Sequence, residues 1–306
     1  MLRNTAWTIL SATLLSLGTL RAADTFIPFD YPGATSSRAS GINADGAVVG
    51  SYADRAGKQH GFLLSGGSFT TIDYPGAVGT AALGINSQGD IVGQYTADAS
   101  GDTAAIHGFL LHGGNFTALN YPGRLGMIAQ RINDAGQIVG CDHDHDMGAS
   151  MHGFLYKDGN WSELSMGMSM STGLLPDASL VLGFVTTDQT RAYITSGGNT
   201  ISFDFPFAGV TAAWDISPSG EVVGQYADTA KVTHGFLLIP SAFDPTFGFT
   251  PVTGAALSFQ FITVDYPGAT YTQAVGINTS GHIVGSYRYA AGTQHAFLLT
   301  RVRRRD

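Results

Sequence analysis

The chain has 306 residues, of which 41 are glycine and only 12% are charged. Its net charge of −8 argues against a general nucleic-acid binder, whose footprint is basic, and its single cysteine, Cys141, excludes an internal disulfide. A chain of this length can bury about 75% of its unfolded surface as one large domain and needs no covalent staple.

Residues 1–22 read as a secretory signal. Arg3 supplies the positive start, and Trp7 to Leu20 is an apolar run too short to span a bilayer comfortably. Cleavage after Ala22 is preferred, because cleavage after Ala23 would put Arg21 at the minus-three position. Loss of this leader removes Arg3 and Arg21 but no acid, so the mature chain is more acidic still. No later run approaches the ~18 apolar residues of a membrane helix. A secreted, extracellular or periplasmic monomer without a membrane span is expected.

The mature chain opens on Phe26-Ile27-Pro28-Phe29-Asp30-Tyr31-Pro32, which resembles the last strand of a unit whose first strands are missing. A complete unit follows. Gly41-Ile42-Asn43 ends a first strand, and Asn43-Ala44-Asp45-Gly46 makes a tight turn, because Asn and Asp bond their own backbone and Gly accepts a positive φ. Val48-Val49 is apolar on consecutive residues, so its strand is covered on both faces. His60-Gly61-Phe62-Leu63-Leu64 forms a third strand. Phe69 to Tyr74 forms a fourth, more polar one, stopped by Pro75-Gly76.

The second-strand glycine recurs as Gly50, Gly93, Gly140, Gly183, Gly224 and Gly285, at steps of 41 to 47 residues and a last step of 61. The fourth copy is degenerate: Leu174-Leu175-Pro176 replaces Gly-Ile-Asn, and Arg191-Ala192-Tyr193 replaces His-Gly-Phe. The fifth copy carries an insertion, Pro240 to Leu257, with Phe243, Phe247 and Phe249. The sixth stops after His295-Ala296-Phe297-Leu298-Leu299 without a fourth strand. Arg301 to Arg305 form a short basic tail, expected to be solvated.

Four-stranded units of this length with buried middle strands predict an all-β, six-bladed β-propeller over residues 23–300. The N-terminal strand, residues 26–32, should complete the last blade and close the ring. Pro28 fits, since proline is tolerated on outer edge strands.

The pattern resembles that of the bacterial extracellular HAF-repeat proteins, named for a His-Ala-Phe tripeptide that follows Ile-Asn-x-x-Gly-x-Val-Val-Gly. His295-Ala296-Phe297 is the literal motif. His60, His107, His152 and His234 each precede Gly-Phe, and Ile42-Asn43, Ile85-Asn86, Ile132-Asn133 and Ile277-Asn278 match the other half. The resemblance spans nearly all of the mature chain and fails most in blade four. It implies a secreted propeller-type repeat fold and carries no common activity.

Residues repeated in every blade are most simply scaffold. The motif histidines should therefore bond backbone within their own blades, and Tyr31, Tyr74, Tyr121 and Tyr266 should pack between blades. Long loops are expected after each fourth strand (33–40, 76–83, 123–130, 167–173, 207–213, 268–275) and between second and third strands (51–59, 94–106, 141–151, 184–190, 225–233, 286–294). Both sets lie on one face, the candidate binding surface. Tyr52, Tyr95, Tyr226, Tyr287 and Arg124 are its candidate ligand residues.

The strongest unrepeated feature is Cys141-Asp142-His143-Asp144-His145-Asp146. In an extended chain Cys141, His143 and His145 share one side, a donor set for zinc, and Asp142, Asp144 and Asp146 share the other, a set for calcium. A solvated acidic loop is the competing reading. A helix-loop-helix calcium site fails, because Met147 displaces the required glycine and Gly153 stands at the twelfth position. Met166, Met168 and Met170 could ligate copper but suit core filling better. No catalytic serine elbow, zinc-protease helix or phosphate loop is present. The sequence therefore favours a non-catalytic binding module for a saccharide or an extracellular protein. A metal-dependent hydrolase or lyase built on residues 141–148, and a structural envelope component, are the alternatives.

Overall fold

A computed structural model describes residues 7–9, 15–144, 150–164, 167–186, 188–196, 199–241, 259–290 and 292–302. It is a six-bladed propeller of four-stranded antiparallel blades. Blade 1 runs outward through Ser36–Ile42, Val48–Ala53, Gln59–Ser65 and Ser68–Ile72. Blades 2 to 5 repeat this order over 79–119, 126–164, 168–203 and 210–264. Blade 6 consists of Tyr271–Ile277, Ile283–Arg288 and Gln294–Thr300, and its outer strand is Thr25–Phe29. The register pairs Ala296 with Phe29 and Thr300 with Thr25, so the ring is closed by the strand the sequence predicts. Each innermost strand touches the innermost strands of both neighbours, in a complete cycle.

The repeated glycine and the repeated His-Gly-Phe are two halves of one packing device. A Cβ on Gly50 would stand 1.9 Å from the carbonyl oxygen of Arg38 and 2.7 Å from the Phe62 ring. The second strand is bare there so that the third-strand ring can press onto the sheet. The same ring is fully buried in each blade, as Phe62, Phe109, Phe154, Phe236 and Phe297, with Tyr193 in blade 4. Each such side chain contributes on the order of 2–3 kcal/mol of apolar burial.

All six innermost strands carry a bulge in the same place, from Ala39/Gly41 in blade 1 to Ala274/Gly276 in blade 6. A bulge adds one residue and turns the strand more sharply. Here it turns residues 41, 84, 131, 173, 215 and 276 toward the neighbouring innermost strands. The Asn turns then link the blades: Asn43 donates to the Asn86 carbonyl, Asn86 to that of Asn133, Asn133 to those of Leu175 and Pro176, and Asn278 to that of Asn43.

Two expectations need correction. Innermost strands begin at Ser36, Gly79, Gly126, Met168, Val210 and Tyr271, and second strands extend to Ala53, Thr96, His143, Thr186, Ala227 and Arg288. Much of the predicted loop sequence is therefore strand, because the blades are longer at this end than the apolar pattern reveals. Nor is Arg301 solvated. Both its terminal nitrogens lie 3.1 Å from Oε1 of the buried Glu221, joining blade 6 to blade 5. Arg303 to Arg305, Met166 and most of the 240–257 insertion lie outside the described residues.

Trp7–Ile9 runs parallel to Asn199–Phe203, and Leu15–Gly18 parallel to Phe259–Val264, as fifth strands on blades 4 and 5. Among the described residues no helix is long and apolar enough to cross a membrane.

Candidate functional site

The axis is the first place to look in a propeller, and here it is filled. Four of the six post-bulge positions are glycine: Gly41, Gly84, Gly173 and Gly276. A Cβ on Gly84 would stand 2.9 Å from Arg131 Cα, and one on Gly276 would stand 3.2 Å from Gly41 Cα. The other two positions are Arg131 and Asp215. Arg131 is 5% exposed. Its Nη1 donates to the carbonyls of Leu83 and Gln130, and its Nη2 to those of Ser40 and Val275. Asp215 lies 3.4 Å from Arg131 Nε and accepts the Ile277 amide. Burial pushes the Asp215 carboxyl above its ordinary range, against the pull of Arg131 and two backbone amides. One side chain thus ties together blades 1, 2, 3, 5 and 6. On the short-turn side a cavity of about 130 Å³ is lined by Asn43, Asn86, Asn133, Asn278 and this ion pair.

On the opposite face, the junctions between blades carry a repeated aromatic stack. Tyr52 lies face to face with Tyr31 at 3.7 Å, Tyr95 with Tyr74 at 3.7 Å, Tyr226 with Phe205 at 3.6 Å, and Tyr287 with Tyr266 at 3.6 Å. The motif histidine covers the other side, with centroids 5.0 Å apart for Tyr52–His60 and 5.3 Å for Tyr287–His295. Both ring faces of these candidate ligand residues are therefore occupied by protein. Burial and the partner hydroxyl push Tyr95 up to about 12, as expected of a phenol shielded from water. Tyr31, Tyr74 and Tyr266 pack between blades as the repeat rule predicts.

The histidines serve the scaffold, but through side chains rather than backbone. His60 Nδ1 pairs with Asp73 at 2.9 Å, His234 with Asp265 at 2.8 Å, and His295 with Asp30 at 2.7 Å across the ring closure. His107 uses Asn120 at 2.9 Å. In blades 1 and 5 an acid at the end of the second strand, Asp54 or Asp228, approaches the same ring at 3.4 Å.

Blade 3 breaks this stack. Register places Asp142 where Tyr52 stands in blade 1. Arg124 fills the space, with its guanidinium 5.5 Å from the Tyr121 ring centroid. Nε lies 2.8 Å from Asp142, Nη1 lies 3.3 Å from Asp144, and Nη2 bonds Glu163. His152 stands 3.5 Å from both Asp144 and Glu163. Asp142 is fully buried, and desolvation pushes its carboxyl up to about 6 despite Arg124 and His152.

The predicted alternation holds for the described residues of this segment. Cys141 and His143 share one side, with Sγ and Nε2 3.7 Å apart, and Asp142 and Asp144 turn to Arg124 on the other. Both Cys141 and His143 are sealed from solvent. Burial pushes the thiol up and the imidazole down, so both are neutral. Nδ1 donates to the Ser150 carbonyl at 2.7 Å, which leaves Nε2 to accept from the thiol. A protonated, enclosed thiol does not supply the thiolate that zinc needs. On the acidic side, the Arg124 guanidinium already occupies the space between Asp142, Asp144 and Glu163. Among the described residues no group of three or more such side chains is arranged to hold a metal. His145 and Asp146 lie outside the described residues.

One further departure lies between blades 5 and 6. Tyr271 and Arg288 face each other across the strands, where blade 1 has Ser36 and Ala53 and blade 5 has Val210 and Ala227. The Arg288 guanidinium lies 4.3 Å from the Tyr271 centroid. Next in the chain, Tyr289 stands where blades 1 and 5 place Asp54 and Asp228. These residues, with Lys231 and Thr270, line an open cleft of about 350 Å³. Sequence reasoning passed over it, although the aromatic-for-acid exchange at residue 289 is visible once the blades are aligned.

No protein-family model and no curated protein matches the chain. Solved structures do. The propeller domain of the Trilobed protease from Pyrococcus furiosus, described as having an open velcro topology, is 10% identical, with a TM-score of 0.51 over 89% of this chain and 99% of that one. The Aleuria aurantia lectin, solved as a point mutant in complex with Fucα1-6GlcNAc, is 11% identical, with a TM-score of 0.50 over 86% and 91%. At such identities the likeness establishes the fold the chain shares with them, a β-propeller.

Proposed function

We propose that this chain is an exported, non-catalytic binding propeller of the HAF-repeat type that meets a saccharide or an extracellular protein with its loop-rich face. One observation carries the reading. The repeated polar residues are engaged with one another, whereas the unrepeated groups around Arg124 in blade 3, exposed in part through Asp144 and Glu163, and around Arg288 in blade 6, which lines an open cleft, lie at the loop-rich end of the blades. The filled axis supports it, because Arg131 closes the route by which a propeller would bring scattered channel residues together. A cleavable leader at residues 1–22 accounts for export, and its removal frees the outer edges of blades 4 and 5 with which residues 7–9 and 15–18 pair in the full chain. That the lectin similar in fold was solved with a fucosylated disaccharide is consistent with sugar binding on this scaffold.

A glycan array probed with the chain lacking residues 1–22 tests the proposal. Binding should weaken on substitution of loop-rich-face residues and be unaffected by Ser87→Ala on the short-turn face. An array without binders, or one whose hits respond only to short-turn substitutions, would contradict it.

A further inference from the structure

We propose that the cleft between blades 5 and 6 binds a saccharide bearing a negative charge, such as a uronic acid. The proposal rests on the binding reading above and narrows its ligand. Charge is the first element. The cleft is lined by two cations, Arg288 and Lys231, and by no acid, in a chain whose net charge is −8. Among the described residues neither cation forms an ion pair, unlike Arg124, Arg131, Arg191 and Arg301, and in this they resemble Arg21, Arg38, Arg55, Lys58 and Lys157; what sets them apart is that they share one acid-free cleft. The Asp228 and Asp265 carboxylates on the blade-5 side are already taken up by His234.

The rings supply the second element. Arg288 stacks on Tyr271, which fixes its planar fork without using the donors at its edge. Those donors suit a carboxylate, which accepts two parallel hydrogen bonds. Tyr289 is 42% exposed and, unlike the sandwiched Tyr52 and Tyr287, offers a ring to the cleft. A pyranose presents an apolar face of C–H groups to such a ring. The remaining wall mixes the hydroxyls of Thr233 and Thr270 with the small apolar surfaces of Val232 and Ala290, and so lacks the enclosed apolar pocket an anchored peptide side chain needs. The volume of about 350 Å³ lies at the small end of ligand sites, enough for one or two sugar rings.

The site is also singular within the repeat. Where blades 1 and 5 place an aspartate that faces the motif histidine, blade 6 places Tyr289. Where they place alanine, it places Arg288. The first exchange removes an acid and adds a ring, the second adds a cation, and neither is required by packing, since blades 1 and 5 close their junctions without them.

Calorimetric titration of the chain lacking residues 1–22 with oligogalacturonate, with its fully methyl-esterified form and with a poly-glutamate peptide tests the inference. Oligogalacturonate should bind, and the neutral ester should bind at least about tenfold more weakly, as expected when charge-assisted bonds to Arg288 are lost. Arg288→Gln and Tyr289→Ala should each weaken binding to a similar degree at unchanged melting temperature, and Arg55→Gln should leave it unchanged. Binding of oligogalacturonate that survives both cleft variants, equal binding of the ester, preference for poly-glutamate, or no binding at all would overturn the proposal. If neutral glycans bind elsewhere on the loop-rich face, the broader function stands and only this assignment falls.

Discussion

Replacing Arg131 by methionine keeps the length of the side chain and removes its charge. Asp215 would then be a buried carboxylate without its counterion, and the four carbonyls of Ser40, Leu83, Gln130 and Val275 would lose their shared donor. Breaking one half of a buried pair costs about 3–5 kcal/mol. The lost carbonyl bonds act in the same direction but are not additive with it. For a domain of this size 1 kcal/mol moves the melting temperature by about 2–4 °C, so Arg131→Met should melt roughly 10 °C lower. The loss should depend on pH. Burial already raises the Asp215 carboxyl, and without Arg131 it rises further, so the folded state binds a proton that the unfolded state releases. Stability is then retained in acid and lost as pH rises, and the deficit against the parent should be smaller at about pH 4 than at about pH 8. Adding Asp215→Asn should recover on the order of 1–3 kcal/mol at the higher pH. Calorimetric scans of the parent, both single variants and the double variant at the two pH values measure all of this. A deficit below about 1 kcal/mol, or no coupling between the two sites, would show that the axis is held by backbone packing alone.

Three other outcomes are expected. Deleting residues 24–32 removes the outer strand of blade 6, its Phe26 contacts with Tyr266 and Phe297, and the Asp30–His295 pair, so the whole domain should melt at least about 10 °C lower in one transition; a deletion variant melting like the parent would refute ring closure. Gly93→Ala places a Cβ 2.0 Å from the Ala81 carbonyl oxygen and 2.8 Å from the Phe109 ring and should cost about 3 kcal/mol or more, whereas Gly89→Ala, at φ +84 with open space around it, should cost about 1 kcal/mol in chemical denaturation. Asp142→Asn removes a carboxyl raised to about 6 by burial; the parent should lose on the order of 1–2 kcal/mol relative to the variant as pH rises from about 4 to about 7, and parallel stability profiles would show that Arg124 fully offsets the burial.

The blades were legible because their period is enforced by contacts every unit must make. Gly50 has to be bare under Phe62, and the Val48-Val49 pair has to be apolar on both faces, whatever the ring does elsewhere. The incomplete units at the two ends revealed the closure in the same way. Strand ends were less legible, since Ser36 to Arg38 and Ser51 to Ala53 are mostly polar strand residues that a hydrophobic pattern reads as loop. The axial pair was hidden for a different reason. Arg131 and Asp215 are 84 positions apart, and each by itself looks like decay of a Gly-Ile-Asn motif. Only the knowledge that all six such positions converge turns two defects into one salt bridge. The stacking of the tyrosines at 52, 95, 226 and 287 was hidden too, because the sequence cannot show that Tyr31, Tyr74, Phe205 and Tyr266 reach them from the preceding blade.

These placements bear on where such a ring can acquire a binding site at all. At the axis a side chain has little room, because a Cβ on Gly41, Gly84, Gly173 or Gly276 would meet backbone within about 3 Å, and the charge of Arg131 there is met by Asp215 from blade 5. At the Tyr52 position a change to Asp142 required Arg124 to refill the stack and balance the charge. Position 289 and its equivalents lie at the rim, where the exchanged side chain reaches solvent and neither a cavity nor a buried charge is left behind. Substitution costs least there. The loop-rich rim is therefore where one blade can diverge from the other five without loss of the ring, and the blade 5–blade 6 cleft is a place where this chain has done so, with side chains at 288 and 289 that blades 1 and 5 close without.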